Sequence, residues 1–495
     1  MDRQCFVPSA TIRGVEALPV SVEVSVGEGL PGITIVGMPD STVQESKIRV
    51  RSALRACGYS VPPARISVNL APSSLKKVGS GFDLPIAIGI LVCTGQIPRN
   101  IVEERTFVGE LSLDGSVHGV SGLFAVAVMV AAGEGGLVTG LTADDLEVAL
   151  PGRHEVLATL GALRLGEFRA PEKVAFVGAG DELDFADIAA QDLAKRAMQI
   201  AAVGGHALFM MGPPGSGKTM LARRLPTIMP PLADAERLEC ALVHSVCGLE
   251  YQDLLAGRRP FRRPHHSATA AGLLGGGSPV LPGEVSLSHN GILFLDEMPE
   301  FGGKKLQLLR QPMEDHVVLL ARADGVYRFP ARFLLVGAAN PCPCGYLGDP
   351  ERTCSCTPSE VERYQSRIGG PLKDRFDMMI SVKRADPKTV LATGSGVSSS
   401  SMREEVLAAR EFALYRLKPA RSQGHDALLI DECRLDEVAG RCIEHYARAF
   451  NMSGRGIMKA LSVARTIADM QESDRVTDEH ISEAIVYRMQ DNEEG

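Results

Sequence analysis

One eight-residue stretch, GPPGSGKT at residues 212–219, constrains the fold of this 495-residue chain more than any other feature. It matches G-x-x-x-x-G-K-[ST], in which the glycines turn backbone N–H groups towards phosphate oxygens and the lysine reaches the β- and γ-phosphates. The apolar run HALFMM precedes it and the helix-like KTMLARRL follows it, so we predict a strand, a loop and a helix in an α/β fold that binds ATP and Mg²⁺. The residues expected to bind nucleotide are Gly212, Pro213, Pro214, Gly215, Ser216, Gly217, Lys218 and Thr219, with the Thr219 hydroxyl on Mg²⁺.

Two further apolar runs end in polar residues suited to hydrolysis. GILFLDEM reads as a strand buried on both faces of a parallel sheet, followed by Asp296 to orient Mg²⁺ and Glu297 to polarise the attacking water. RFLLVGAAN ends at Asn340, at the carboxyl end of a strand, where open α/β sheets place ligand contacts. Taken alone, Asn340 could equally be a turn residue that ends a strand.

Composition narrows the class of protein. Hydrophobic residues make up 45% and charged residues 23%, which is ordinary for a soluble globular protein. The longest apolar runs are about ten residues, half of what a membrane-spanning helix needs, and no secretory signal opens the chain, so we expect a cytoplasmic protein with no membrane partner. The net charge of −8 means that nucleic acid would need a local basic patch.

A basic motif, GRRPFRRPHHS, supplies one candidate patch. Its arginines could neutralise DNA phosphates without sequence preference, and Phe261 could stack on a base. Alternatively, the arginines face nucleotide or a neighbouring subunit, and the two histidines are structural. The candidate DNA-binding residues are Arg258, Arg259, Phe261, Arg262 and Arg263.

A second basic segment, DHVVLLARADGVYRFPARF, predicts a β-hairpin. Residues of alternating polarity flank the Asp324-Gly325 pair, which is a strong turn signal. Arg322, Arg328 and Arg332 could line a pore; a plain solvated hairpin fits the pattern as well.

Four of the eleven cysteines lie within fifteen residues, in a segment rich in proline and glycine. In a reducing compartment such thiols are more often metal ligands or buried groups than a disulfide framework. Two C-x-C pairs separated by nine residues could supply a tetrahedral S₄ set for a structural Zn²⁺. A redox-sensitive disulfide and unligated buried thiols remain alternatives. The residues concerned are Cys342, Cys344, Cys354 and Cys356.

These motifs together resemble the AAA+ ATPases, specifically the magnesium-chelatase-like ComM/YifB family. The resemblance covers nearly the whole chain and rests on the segments GLPGITIVGMPDSTVQESKIRVRSALRACGY, GFDLPIAIGIL, RPFRRPHHSATAAGLLGGG, PGEVSLSHNGILFLDEMPEF, NPCPCGY and VARTIAD. It implies a hexameric ring motor that hydrolyses ATP and promotes branch migration of DNA joints in homologous recombination and natural transformation. The implied partner is branched or single-stranded DNA, bound without sequence preference. The alternatives are a protein-remodelling or regulatory ATPase and the ATPase subunit of a metal chelatase.

The resemblance also implies roles for single residues. Asn340 would be the sensor that positions the attacking water, and Arg375, in GPLKDRFDMMISV, the catalytic arginine finger that reaches a neighbouring subunit's ATP. Arg455 would be the second sensor, which contacts nucleotide from the helical lid. Against this, Arg375 could form an ordinary ion pair and Arg455 could be solvated. The lid helix departs from the family pattern at Lys459 and Ser462.

The implied domain order is a Lon-protease-C-terminal-like α/β domain at residues 1–165, a linker at 166–190, the AAA+ core at 191–390 and a helical lid at 391–495. We expect the first domain to be catalytically silent, because the Gly-Pro-Ser-Ala-Gly turn of a Lon-type site is not present and Val126 takes the lysine position. The cysteine segment lies between Asn340 and Arg375, so we expect its loss to impair ring activity more than nucleotide binding.

Overall fold

The structure is a computed structural model that describes residues 3–133, 135–140, 151–170, 183–349, 351–386, 396–422 and 429–489. None of the described helices is long and apolar enough to cross a membrane. Its strands, numbered β1 to β18 in chain order, are Arg3–Arg13, Glu16–Gly27, Gly32–Val36, Arg65–Ala71, Arg105–Phe107, Glu110–Leu111, Val117–His118, Gly136–Thr139, His154–Val156, Leu208–Met211, Phe261–Arg262, Gly275–Gly276, Leu281–Pro282, Ile292–Leu295, Val317–Arg322, Gly325–Pro330, Leu334–Ala339 and Met378–Ser381.

The α-helices alternate with the strands in the first four fifths of the chain and then follow one another without strands. They are Ser41–Ala56, Asp83–Cys93, Leu123–Ala131, Asp192–Gly204, Lys218–Ile228, Asp234–Val246, Gln252–Leu255, Ala270–Leu274, Glu284–Leu287, Gly303–Gln307, Arg310–Asp315, Pro358–Ser366, Gly370–Lys373, Ser399–Ser422, Leu429–Cys433, Glu437–Ala449, Gly454–Met470 and Asp478–Met489.

The N-terminal region is built on a four-stranded sheet of order β1-β2-β4-β3, antiparallel except for the β3–β4 pair. Alternate residues of β2 and β4 are buried, which places one apolar face under the helix Asp83–Cys93. That helix lies close to the sheet at Gly89, where an added Cβ would be 2.4 Å from Val24. A buried carboxylate, Asp83, pairs with Arg49 at 2.5 Å and so ties two helices together.

Lys77 and Ser80 lie in the segment 76–89, where a Lon-type site would have its Gly-Pro-Ser-Ala-Gly turn, and both have other partners. The ammonium of Lys77 is buried and donates to the Pro72 carbonyl, and burial lowers its pKa. Ser80 donates to Glu110, and Val126, at the expected lysine position, is a buried apolar residue. The silence of this domain and its likeness to the Lon fold both stay predictions.

The nucleotide-binding region is built on a five-stranded, all-parallel sheet of order β11-β14-β17-β10-β18. Every residue of β14 and β17 is buried, as their uninterrupted apolar sequences predict. The predicted α/β class with a parallel sheet is therefore confirmed. Because β17 lies directly between β10 and β14, the segments that follow these three strands meet at one edge of the sheet.

The C-terminal helices pack on the nucleotide-binding region rather than forming a separate core. One apolar cluster runs from Phe185 through the parallel sheet to Tyr487. His206, at the start of β10, shares a 2.8 Å hydrogen bond with Thr466 of the helix Gly454–Met470. The predicted lid boundary at residue 391 lies outside the described residues, as does the part of the predicted linker at 171–182.

Among the residues that the structure describes, the N-terminal region contacts the nucleotide-binding region through the helix Asp234–Val246 and through the β15–β16 hairpin. The helix Leu123–Ala131 packs against Asp234–Val246, with the rings of Phe124 and Tyr251 5.0 Å apart. The second contact is made by the β15–β16 hairpin, whose existence the sequence predicted correctly. The hairpin's Asp324 carbonyl accepts a 3.3 Å hydrogen bond from Arg13, so the exposed tip of the hairpin lies against the N-terminal region.

Candidate nucleotide site

The phosphate loop, GPPGSGKT at residues 212–219, follows β10 and leads into the helix Lys218–Ile228, as the motif predicts. Gly215 and Gly217 have φ values of +77° and +92°, and an added Cβ would meet nothing within 4 Å at either position. Gly212 is required for a different reason, since a Cβ there would be 2.1 Å from the Val382 carbonyl oxygen. The loop is therefore both pinned to the end of β18 and open on its outer side.

Lys218 lies folded back over the phosphate loop. Its Nζ donates to the carbonyl oxygens of Gly212 at 2.6 Å and Pro213 at 2.9 Å, and to Asn340 Oδ1 at 3.3 Å. Burial lowers the pKa of Lys218 to about 8, and the carboxylates of Asp296 and Glu297 oppose that shift. The ammonium is held by weak neutral acceptors, which phosphate oxygens can replace.

Thr219 and Asp296 form the part of the site that suits a divalent cation. The Thr219 hydroxyl donates to Asp296 Oδ2 at 2.9 Å, which brings two hard oxygen donors together beside the phosphate loop. Mg²⁺ prefers such oxygens together with substrate phosphates, so the donor set fits this ion. Arg263 contacts the same Oδ2 at 2.6 Å.

Glu297 and Asn340 reach this edge from neighbouring strands. Glu297 follows β14 with a left-handed backbone (φ +48°), and its carboxylate is 3.8 Å from His266 Nδ1. Asn340 follows β17 and contacts Lys218. The structure thus brings together all the residues expected on the chain's own ATP, apart from Arg455.

Arg375 and Arg455 lie at the opposite edge of the sheet. Arg375 precedes β18, and Asp377 and Met378 of that turn bond to the Ala207 carbonyl at the start of β10. Both guanidinium groups donate to the Glu314 carboxylate, Arg455 at 2.9 Å, and Lys459 donates to the Arg375 carbonyl at 2.6 Å. These charged contacts lower the pKa of Glu314. Neither arginine is near the phosphate loop of its own chain.

The arginines of the basic motif have carboxylate partners instead of forming a free patch. Arg258 pairs with Asp253 at 3.5 Å, Arg259 with Glu236 at 3.0 Å, and Arg262 with Glu284 at 2.7 Å. The fourth, Arg263, contacts Asp296 of the nucleotide site. Phe261 lies in β11 and stacks on Phe294, with ring centroids 6.0 Å apart. Of these arginines, Arg263 fits the alternative in which the motif faces the nucleotide site, whereas DNA contact through the motif stays a prediction.

The four clustered thiols converge. Cys342 Sγ is 3.3 Å from Cys344 Sγ and 3.6 Å from Cys354 Sγ, and Cys344 and Cys354 are 3.5 Å apart. All four cysteines are free thiols here, because these separations are well beyond the ~2.05 Å of a disulfide. The donor atoms of the four residues, Cys356 included, lie within 4.8 Å of one another and could hold a metal ion.

Sequence reasoning missed the residues that connect these parts. Glu314 joins Arg375 to Arg455 but belongs to no motif, and only the packing of three separate segments reveals it. Gly345 is the point at which the cysteine segment touches the phosphate loop, since a Cβ there would be 2.6 Å from Pro214. The sequence offered one signal, the glycine that follows C-P-C.

Comparison with known proteins gives matches along most of the chain. Three family models match successive parts of the chain: "Subunit ChlI of Mg-chelatase" at residues 22–139, "Magnesium chelatase, subunit ChlI" at 184–390, and "Magnesium chelatase, subunit ChlI C-terminal" at 396–488. The chain is 39% identical over 506 residues to the uncharacterized protein YifB of Escherichia coli K12, which covers 98% of this chain and 96% of that protein. It is also 39% identical over 496 residues to competence protein ComM of Haemophilus influenzae, with 98% and 97% covered. An uncharacterized protein of Mycobacterium tuberculosis H37Rv is 38% identical over 494 residues, with 97% of each chain covered.

Proposed function

The chain belongs to the magnesium-chelatase-like ComM/YifB family of AAA+ ATPases, and from this premise we propose that it is a ring-forming ATPase that moves DNA joints. The ATPase part follows from the family and the nucleotide site. The action on DNA is the more specific part of the proposal, and it draws on the relative named as a competence protein.

The observation that carries the ATPase proposal is the meeting of five polar groups at one edge of the parallel sheet. The hydroxyl of Thr219 and the carboxylate of Asp296 provide the oxygen ligands that Mg²⁺ takes. Bound there, the ion would neutralise negative charge on the β- and γ-phosphates. Lys218 would exchange its carbonyl contacts for phosphate oxygens, a stronger pairing because both partners are charged.

Glu297 and Asn340 supply the hydrolytic half of the proposed mechanism. The Glu297 carboxylate, more than half exposed beside the phosphate loop, would accept a proton from water as that water attacks the γ-phosphate. Asn340 would hold the same water in line through its amide, which is already within reach of Lys218. His266, close to Glu297, would orient the carboxylate.

The position of Arg375 favours a ring. The four residues of β10 place about 13 Å between its edge of the sheet and the phosphate loop, more than an arginine side chain spans. Together with Arg455 it forms a pair of guanidinium groups joined by Glu314. We infer that this pair faces the ATP of a neighbouring subunit and stabilises charge on the phosphoryl group being transferred.

DNA could contact such a ring through a surface other than the basic motif, because the arginines of that motif are paired with carboxylates. Arg328 and Arg332 are exposed on and just after the β15–β16 hairpin and are the stronger candidates. Arg322 is exposed at the hairpin tip, close to the N-terminal region. DNA that binds through such residues would release counterions, so the affinity should fall steeply with salt.

The test is ATP turnover with and without branched or single-stranded DNA at two salt concentrations. The proposal predicts stimulation at low salt that is lost at high salt, and a smaller stimulation for Arg328→Ala combined with Arg332→Ala. Intact basal turnover that no DNA structure changes would reject the DNA motor. It would then favour a protein-remodelling ATPase or a chelatase subunit, which stimulation by a protein or porphyrin partner would identify.

A further inference from the structure

The four thiols that follow Asn340 have the geometry of a metal site. Three of their sulfur–sulfur distances are 3.3, 3.5 and 3.6 Å. Four sulfurs bonded to Zn²⁺ at about 2.3 Å lie about 3.8 Å apart at the corners of a tetrahedron, so these three distances are within a few tenths of an ångström of that spacing. The fourth sulfur, that of Cys356, lies within 4.8 Å of the other three. We propose that Cys342, Cys344, Cys354 and Cys356 bind a structural Zn²⁺ that holds the cysteine segment, residues 341–357, against the phosphate loop.

The choice of ion follows from the ligands. Soft thiolates in a tetrahedral S₄ set select zinc or an iron–sulfur centre over Mg²⁺ or Ca²⁺. Zinc with four protein ligands has no open position, which makes the site structural rather than catalytic. Four thiolates around Zn²⁺ carry a net charge of −2, and two cations contact the Tyr346 ring of the same segment: Arg352 at 4.8 Å and Arg384 at 5.6 Å.

Among the described residues, the cysteine segment contacts the phosphate loop at Pro214. Gly345 approaches it so closely that an added Cβ would be 2.6 Å from Pro214 Cδ, and its φ of +84° suits glycine. Arg384 donates to the carbonyl of the same residue, Pro214, at 3.3 and 3.2 Å. Arg384 also pairs with Asp349 of the cysteine segment at 3.6 Å. Pro214 is thus fixed both by direct contact with the segment and through Arg384.

This geometry changes what loss of the cysteines should do. The sequence led us to expect that loss of the cysteines impairs ring activity more than nucleotide binding. The contacts with Pro214 place the cluster against the chain's own phosphate loop, so release of the metal should weaken ATP binding within a single subunit. The predicted loss of ATP binding rests on the proposed ATP site, whereas the prediction of metal binding does not.

Metal binding is tested by elemental analysis of protein purified without chelators and supplied with zinc. About one Zn²⁺ per chain is expected, lost in Cys354→Ser combined with Cys356→Ser. Cys57→Ser is the matched control, because Cys57 is partly exposed and lies in the N-terminal region. A wild-type protein without zinc, whose four thiols react freely with a thiol reagent, would overturn the proposal.

The contact between the cysteine segment and the phosphate loop is tested with a variant that keeps every thiol. Gly345→Ala should retain its zinc, yet displace Pro214 and weaken ATP affinity about tenfold or more, since tenfold corresponds to about 1.4 kcal/mol, roughly one hydrogen bond to a charged group. Gly166→Ala is the control, because Gly166 has a similar left-handed backbone (φ +64°) and nothing within 4 Å of an added Cβ. Chelation of the wild-type protein should lower ATP affinity, and zinc should restore it.

The outcomes separate this proposal from the proposed function. If Gly345→Ala binds zinc and retains wild-type ATP affinity, the proposal that the cysteine segment positions the phosphate loop is overturned. Normal zinc content and zinc-dependent ATP binding, together with no response to DNA, would leave this proposal standing and reject the DNA motor.

Discussion

Two inactive variants should restore each other's ATP hydrolysis if Arg375 completes the site of the neighbouring subunit. Lys218→Ala removes the phosphate-binding ammonium, and Arg375→Ala removes the guanidinium at the opposite edge of the sheet. In the structure, four residues of β10 separate these two positions, about 13 Å along the strand. One ATP can therefore contact both groups only if two subunits supply them.

The size of the recovery follows from random assembly. In a ring formed from an equal mixture, a site is competent when its own subunit is Arg375→Ala and the subunit that supplies the finger is Lys218→Ala. Each condition is met half the time, so about a quarter of the sites should be competent. Turnover should rise from near zero for each variant alone to about a quarter of the wild-type rate if the sites act independently.

The assay is steady-state phosphate release after the two variants are unfolded together and reassembled, with subunit mixing verified by native mass spectrometry. A mixture of Lys218→Ala and Glu297→Gln is the control, because both residues belong to the same site and no arrangement of subunits restores it. Mixed rings of Lys218→Ala and Arg375→Ala without recovery would refute the assignment, as would full turnover by Arg375→Ala alone.

Three further predictions address single contacts. The pKa of Lys218 is about 8 without phosphate, and bound ATP should raise it. The affinity for ATP should therefore fall as pH rises through 8. Calorimetry in two buffers should detect proton uptake on ATP binding at about pH 8.5 but not at about pH 6.5. Gly212→Ala should lower stability by about 1–3 kcal/mol, since its methyl would meet the Val382 carbonyl, whereas Gly440→Ala, whose methyl meets nothing within 4 Å, should not lower the melting temperature. Glu314→Gln should reduce kcat while the Kd for ATP stays unchanged, because Glu314 contacts Arg375 and Arg455 and not the chain's own phosphate loop; Asp315→Asn is the control, and a weakened Kd would contradict this reading.

The parts of the site that the sequence predicted are local. The phosphate loop, Asp296 and Asn340 each follow an apolar strand directly, and parallel strands bring their carboxyl ends to one edge whatever the loops between them do. The hairpin at Asp324 was likewise set by a short-range turn signal.

The parts that could not be predicted depend on which distant segments meet. An arginine read from the sequence carries a charge, but its partner decides whether that charge faces solvent. Arg262 meets Glu284, and Arg263 meets Asp296, because β11 lies beside β14 in the sheet. Glu314 shows the same limit, since no spacing along the chain connects it to Arg455, which lies 141 residues away.

The most direct test of the central claim is the movement of a labelled four-way DNA joint, followed on native gels with ATP and Mg²⁺. We expect the wild-type protein to resolve the joint into two duplexes, while Glu297→Gln binds ATP with wild-type affinity and leaves the joint intact. Resolution at the wild-type rate by Glu297→Gln, or no resolution by a wild-type protein that hydrolyses ATP and binds the joint, would contradict it.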